Sequence, residues 1–290
     1  MGQDNTARIA LISVISNMFL VITKFIIWFM TGSVSIISEA LHSCMDLLAA
    51  CIAFFSIKYA GKSPDEFHNY WYGKIENVSG VAEALLIFIA VGLILYESIE
   101  KFLHPWEINS VWLWFAVMIV SWIINFFVSQ KLFKEAKKNK SVALEADAVH
   151  LRTDTYSSLG VWLWLLLIRF TWIQILDPIV AVIVALFISV EAWAILKKAF
   201  LPLLDISLPK EDIKKIKNII LKRDKIHSVH KFYSRTVGKN IFIEFDLVFD
   251  SDSLPILEAH NIWWQIKKDI TDSYPLAKIR IHLEPFSVVK

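Results

Sequence analysis

The sequence predicts an α-helical membrane domain of six transmembrane helices, followed by a small cytosolic α+β domain of order αββαβ. Three observations lead to this. Of the 290 residues 56% are hydrophobic and only 20% are charged, more apolar than a soluble chain of this length needs to be. Six apolar segments each approach the roughly 20 residues that cross a bilayer. Beyond residue 203 the apolar runs stop, and amphipathic and alternating segments take over. The predicted division is therefore 1–203 for the membrane domain and 204–290 for the cytosolic one.

The six segments run roughly over 8–30, 33–58, 76–102, 110–133, 142–169 and 176–199. The run Ile9 to Met30 is too long for a signal-peptide core, so it reads as a retained membrane helix. Thr31-Gly32-Ser33 separates the first segment from the second, a polar stretch from Gly61 to Lys74 separates the second from the third, and His104-Pro105 and Asp177-Pro178 mark two later boundaries. Lys58, Lys62 and Lys74 flank the second connection, five lysines from Lys131 to Lys140 crowd the fourth, and Lys197 and Lys198 follow the last segment. The positive-inside rule then puts both termini in the cytosol, and the cell membrane is the expected location. Trp28, Trp106, Trp112 and Trp172 near segment ends fit an aromatic belt or ordinary packing.

In the cytosolic part, Pro209 to Lys222 reads as an amphipathic helix. His227 to Ser234 and Asn240 to Phe249 read as strands around Gly238, Ser253 to Asp272 as a second helix, and Lys278 to Leu283 as a last strand. The net charge of +2 and the absence of a basic run with interleaved aromatics give no sign of nucleic acid. Cys44 and Cys51 share one apolar segment, which argues against a disulfide framework.

Chemistry concentrates in two related stretches, Glu39-Ala-Leu-His42-Ser-Cys-Met-Asp46 and Asp147-Ala-Val-His150-Leu-Arg-Thr-Asp154. In each, an acid, a His and an Asp fall at i, i+3 and i+7, which is one face of a helix. Ionisable groups inside apolar spans are expensive and point to function. Two facing helices would offer the imidazoles of His42 and His150 and the carboxylates of Asp46 and Asp154, a full tetrahedral set for one divalent metal. Glu39 and Asp147 suit three roles: orienting the imidazoles, relaying protons, or hydrogen-bonding between helices.

The paired HxxxD resembles that of the cation diffusion facilitator family. Thr31-Gly-Ser-Val-Ser, Tyr72-Gly-Lys-Ile-Glu-Asn, Leu176-Asp-Pro-Ile-Val and Ile281-His-Leu-Glu-Pro add to the likeness in order along the chain. The resemblance implies a homodimer, a ferredoxin-like cytosolic domain, and export of a divalent metal, typically zinc, in exchange for protons. It implies that His42, Asp46, His150 and Asp154 are the transport ligands. It also implies metal binding in the cytosolic domain by His230, Asp246, His260, His282 and Glu284, and a loop site at Asp65 and His68. In that loop Tyr72 stands where some members have His, which favours a plain solvated loop. A charge interlock between Lys74 and Asp205 is implied as well. Competition of proton and metal for the same His and Asp groups gives antiport a physical basis. Iron(II) or manganese is the alternative substrate, although two imidazoles favour zinc. A membrane metal sensor is a further alternative. An intramembrane metalloenzyme would want HExxH and an open coordination position, and no HExxH is present.

Overall fold

A computed structural model describes residues 2–31, 34–103, 111–171 and 176–289. Six long helices come first: α1 (Gly2–Thr31), α2 (Val34–Ala60), α3 (Lys74–Leu103), α4 (Val111–Asn139), α5 (Val142–Thr171) and α6 (Leu176–Phe200). Among the described residues, Asn5–Met30, Ala40–Ala60 and Lys74–Glu100 are long and apolar enough to cross a membrane. The boundary at His104-Pro105, the residues Gly32 and Ser33, and Trp106 and Trp172 lie outside the described residues, as do the side chains of Glu39, Trp112 and Asp177.

Helix α5 is the centre of the bundle. Its Leu144, Ala148 and Leu151 join Ala10 of α1, Ile57 of α2 and Leu132 of α4 in one buried cluster. Its Ala146 and Val149 join Ala84 and Ile87 of α3 and Ala185 and Ile188 of α6 in another. The alanines let backbones approach closely, which is how helices associate when apolar surroundings supply little drive. With these residues turned to both sides, the remaining stripe of α5 presents Asp147, His150 and Asp154. The helix start is set locally. Lys140 takes a left-handed conformation (φ 53°) after α4, and the Ser141 hydroxyl accepts a bond from the Leu144 amide at 3.4 Å, as a capping serine does.

After a short 3-10 turn at Leu201–Leu204 come α7 (Lys210–Leu221), β1 (Ile226–Val237), β2 (Asn240–Phe249), α8 (Ile256–Ser273) and β3 (Ala277–Glu284). The sheet order is β1-β2-β3, with β1 antiparallel and β3 parallel to β2. Strand period 2 divides the sheet into two faces. Ile243, Phe245 and Leu247 of β2, with Ile279 and Ile281 of β3, pack against Ile216 and Ile220 of α7 and Ile266 and Ile270 of α8. Phe242, Asp246, His282 and Glu284 fall on the other face, which no helix of the domain covers.

The connection between α2 and α3 reaches that open face. Tyr70 and Trp71 pack on Phe242, with ring centroids 5.3 and 6.1 Å away. Arg235 of β1 lies over the Tyr70 ring, and Lys278 of β3 over the Trp71 ring. The backbones meet at two glycines. A Cβ on Gly73 would lie 2.7 Å from the Val237 carbonyl oxygen, and Gly238 holds φ +56° in the β1–β2 turn, so both positions require glycine.

Candidate ion sites

The first cluster spans α2 and α5. Nε2 of His150 lies 3.1 Å from Oδ1 of Asp46. Nε2 of His42 lies 3.8 Å from that same oxygen and 3.7 Å from Oδ1 of Asp154. Ligand atoms of His42, Asp46 and Asp154 all fall within 4.8 Å of one another. Asp46 and His150 are buried, whereas the His42 side chain is 47% exposed and gives the cluster its opening. Helical spacing explains the convergence: i and i+4 on each helix point the same way, and the α2–α5 contact turns the two faces toward each other.

Of the two outlying acids, the side chain of Glu39 lies outside the described residues. Asp147 is fully buried one turn before His150, with the Ser13 hydroxyl of α1 beside its carboxyl. Lys24 of α1, absent from the candidates above, is buried and donates to the Ser43 hydroxyl at 2.8 Å, next to His42. A lysine in the middle of an apolar run was the available signal.

In the α2–α3 loop, Asp65 Oδ1 accepts the Phe67 and His68 amides at 3.0 and 2.7 Å and lies 3.2 Å from His68 Nδ1. Tyr72 donates its hydroxyl to Oδ2. That bond leads the forces holding the Asp65 carboxyl down at about 2, and it raises the Tyr72 phenol. Asp65 and His68 therefore adjoin each other, and a loop tyrosine and backbone amides occupy the oxygens of Asp65.

In the α7–β3 domain, ligand atoms of Asp246, His282 and Glu284 come together on the open sheet face. The register sets Asp246 beside His282 and Val248 beside Glu284. His230 sits opposite Asp246 on β1, but its ring bonds to the Ser228 hydroxyl at 2.8 Å. His260 lies on α8 and stacks on Trp263, outside the three-residue group. Between the acids stands a cation that no local pattern singles out. Lys231 takes φ 43° at an irregularity in β1 and places Nζ 2.8 Å from Asp246 and 3.7 Å from Glu284. This contact, with His282 beside it, lowers the Asp246 carboxyl.

At the junction of the domains, Lys74 opening α3 donates to Asp205 Oδ1 at 2.9 Å. Asp205 is left-handed (φ 55°) after the 3-10 turn, and its Oδ2 accepts from Arg235 of β1 at 3.3 Å. The predicted pair is thus one side of a three-residue bridge.

Membrane-length apolar helices with ionisable groups gathered inside them, joined to a small α/β domain, define a membrane transporter. The chain belongs to the cation efflux family. The family's "Cation efflux transmembrane domain" matches residues 10–204, and "Cation efflux protein, cytoplasmic domain" matches residues 208–286. The chain is 28% identical over 276 residues to the Cation-efflux pump FieF of Shewanella oneidensis, covering 95% of this chain and 93% of that protein. It is 30% identical over 256 residues to the Uncharacterized transporter sll1263 of Synechocystis, covering 88% and 82%. Protein p34 of Rickettsia prowazekii is 24% identical over 280 residues, covering 97% and 92%. This is the family whose motifs the sequence resembles, and its members are transporters rather than enzymes.

Proposed function

We propose that this protein exports a divalent cation, zinc foremost, from the cytosol in exchange for protons. His42, Asp46, His150 and Asp154 are the transport ligands. The supporting observation is the approach of His150 to Asp46 at 3.1 Å, which joins the two HxxxD helices through one carboxylate. A metal held between α2 and α5 would tie the helices together. A proton on either imidazole would remove a ligand and add a positive charge. Metal and proton therefore exclude each other, and exposing the cluster to each side in turn makes that exclusion an exchange. Two nitrogen and two oxygen donors suit zinc better than the harder iron(II) or manganese.

The same reading has six spans, both termini in the cytosol, the cell membrane as location, and a boundary near residue 203. It has a homodimer assembled with the help of a ferredoxin-like cytosolic domain. Lys74 and Asp205 couple that domain to α3. Asp246, His282 and Glu284 form a secondary cation site there, with Lys231 as competitor, and His230 and His260 belong to it only after rearrangement. Asp65 and His68 form a structural loop.

The test is flux. Purified protein in vesicles loaded with a metal-sensitive dye is offered zinc, cadmium, iron(II) and manganese under an imposed pH gradient. Zinc entry that follows the proton gradient supports the proposal. Entry indifferent to pH on both sides points to a channel, and absence of flux with metal binding retained points to a sensor.

A further inference from the structure

One face of α3 carries a polar ladder that the metal cluster does not use. Glu76, Ser79 and Glu83 fall at i, i+3 and i+7, on one side of the helix. Near the end of α3 that adjoins the cytoplasmic domain, Ser141 donates its hydroxyl to Glu76. One turn further in, Ser79 is buried and donates to Glu83 Oε1 at 3.0 Å. Glu83 is completely buried, and its chain neighbour Ala84 belongs to the cluster that α3 forms with Ala146 and Val149 of α5. Its other oxygen, Oε2, has no hydrogen-bond partner. Asp147 of α5 is also completely buried, with the Ser13 hydroxyl beside it, and its charge acts on Glu83 across the α3–α5 contact.

Among the described residues no cation acts on Glu83: Lys24 of α1 is buried but donates to Ser43 and acts on Asp46, and the positive charge nearest Asp147 is that of His150. On α5, His150 turns Nε2 to Asp46, Glu145 takes Lys198 of α6 at 2.5 Å, and Arg152 takes Glu191 of α6 at 3.1 Å. Lys197 of α6 is exposed. From α1, Ser13 and Asn17 are buried, and the Ser13 hydroxyl lies beside the Asp147 carboxyl. From α2, Asp46 adds a further negative charge acting on Asp147. Glu83, fully buried, meets the negative charge of Asp147 and no cation, and a carboxyl so placed keeps its proton in a low-dielectric interior.

We propose that Glu83 and Asp147 form a second, protonatable station beside the metal cluster, reached from the cytoplasmic-domain end of α3 along Glu76 and Ser79. One proton resides on the pair, with Glu83 as its carrier and Asp147 as the acceptor one helical turn from His150. Its part in transport, exchanging the proton that opposes the metal, rests on the antiport reading above. The existence of the proton does not.

Infrared difference spectra of the full chain in lipid nanodiscs, taken without metal across an acid–base step, test this directly. The wild type shows the carbonyl stretch of a buried protonated carboxyl. Glu83→Gln, which keeps shape and removes the acid, loses that band. Glu83→Asp keeps an acid and shifts it, which decides the matter if the first variant does not assemble. Zinc affinity by calorimetry stays within about threefold of wild type in Glu83→Gln, because the residue is no ligand, while the pH dependence of zinc flux flattens. A band unmoved by either substitution overturns the station. A band lost with an unchanged flux–pH profile overturns its role in exchange. If wild-type flux itself ignores pH, the antiport reading fails, and the band still decides whether Glu83 holds a proton.

Discussion

Nζ of Lys231 lies 2.8 Å from Oδ2 of Asp246, so the acid at the centre of the cytoplasmic cluster already has a cation. A divalent ion entering between Asp246, His282 and Glu284 must displace that ammonium or share its oxygens. The lysine is well exposed and can swing away into water. Its competition is therefore weak and falls with salt.

Lys231→Ala should tighten zinc binding at this cluster by no more than about fivefold, the scale of an exposed ion pair. Calorimetry on a background lacking the transport ligands measures it. The Asp246 carboxyl should rise toward its ordinary range in the same variant, since Lys231 is the chief influence lowering it. Unchanged zinc affinity together with an unmoved carboxyl would show that Lys231 does not guard the site.

Asp154→Ala should weaken zinc binding at the α2–α5 cluster by roughly 100-fold or more, because removing even an outer partner of a metal ligand costs 10–100-fold. Transport should stop while the chain stays folded, since the variant removes a buried acid rather than a packing group. Dye-loaded vesicles read the flux, and near-normal zinc entry would rule out the four-ligand arrangement.

Zinc affinity at the same cluster should fall as the solution is acidified through the range in which imidazoles take up protons, around pH 6.5 for an unperturbed His. Each imidazole protonated is a ligand lost, and loading should release protons into a weakly buffered solution. Binding that is flat between neutral and mildly acidic pH would contradict ligation by His42 and His150.

Asp205→Ala and Lys74→Ala should be non-additive in thermal stability. Both side chains are more than a third exposed, so the coupling should be about 0.5 kcal/mol. Arg235→Ala should weaken the same coupling, because Asp205 bonds to both cations. Strict additivity of all three substitutions would mean that the bridge does not join the domains.

Tyr72→Phe should raise the Asp65 carboxyl from about 2 toward the ordinary aspartate range, because the phenol is the largest influence holding it down. The sign follows from linkage. A carboxyl lowered on folding supports the loop above its unfolded value and loses that support as pH falls through the folded one. In the wild type the loop bonds should therefore persist to about pH 2, and in the variant they should fail at milder acidity. Carboxyl NMR shifts follow this, and an Asp65 carboxyl unmoved by the substitution would mean that the phenol bond is not formed in solution.

Several features were legible in the chain because they depend on local periodicity. Apolar length marked the helices, the i, i+4 offsets put His42 with Asp46 and His150 with Asp154, and period 2 puts His282 and Glu284 on one side of β3, whereas Asp246 was grouped with them only through the family resemblance. The order α7-β1-β2-α8-β3 also matches the order read from composition and turn residues. Other features required contacts between distant segments. Nothing local to Lys231 says that an irregularity in β1 turns it over Asp246. Nothing local to Tyr70 and Trp71 says that they cross to Phe242. Glu83 reads as one polar residue in an apolar helix until α5 brings Asp147 against the same interior. Spacing along a helix or strand fixes which side chains share a face, whereas only the packing of one element on another decides what that face meets.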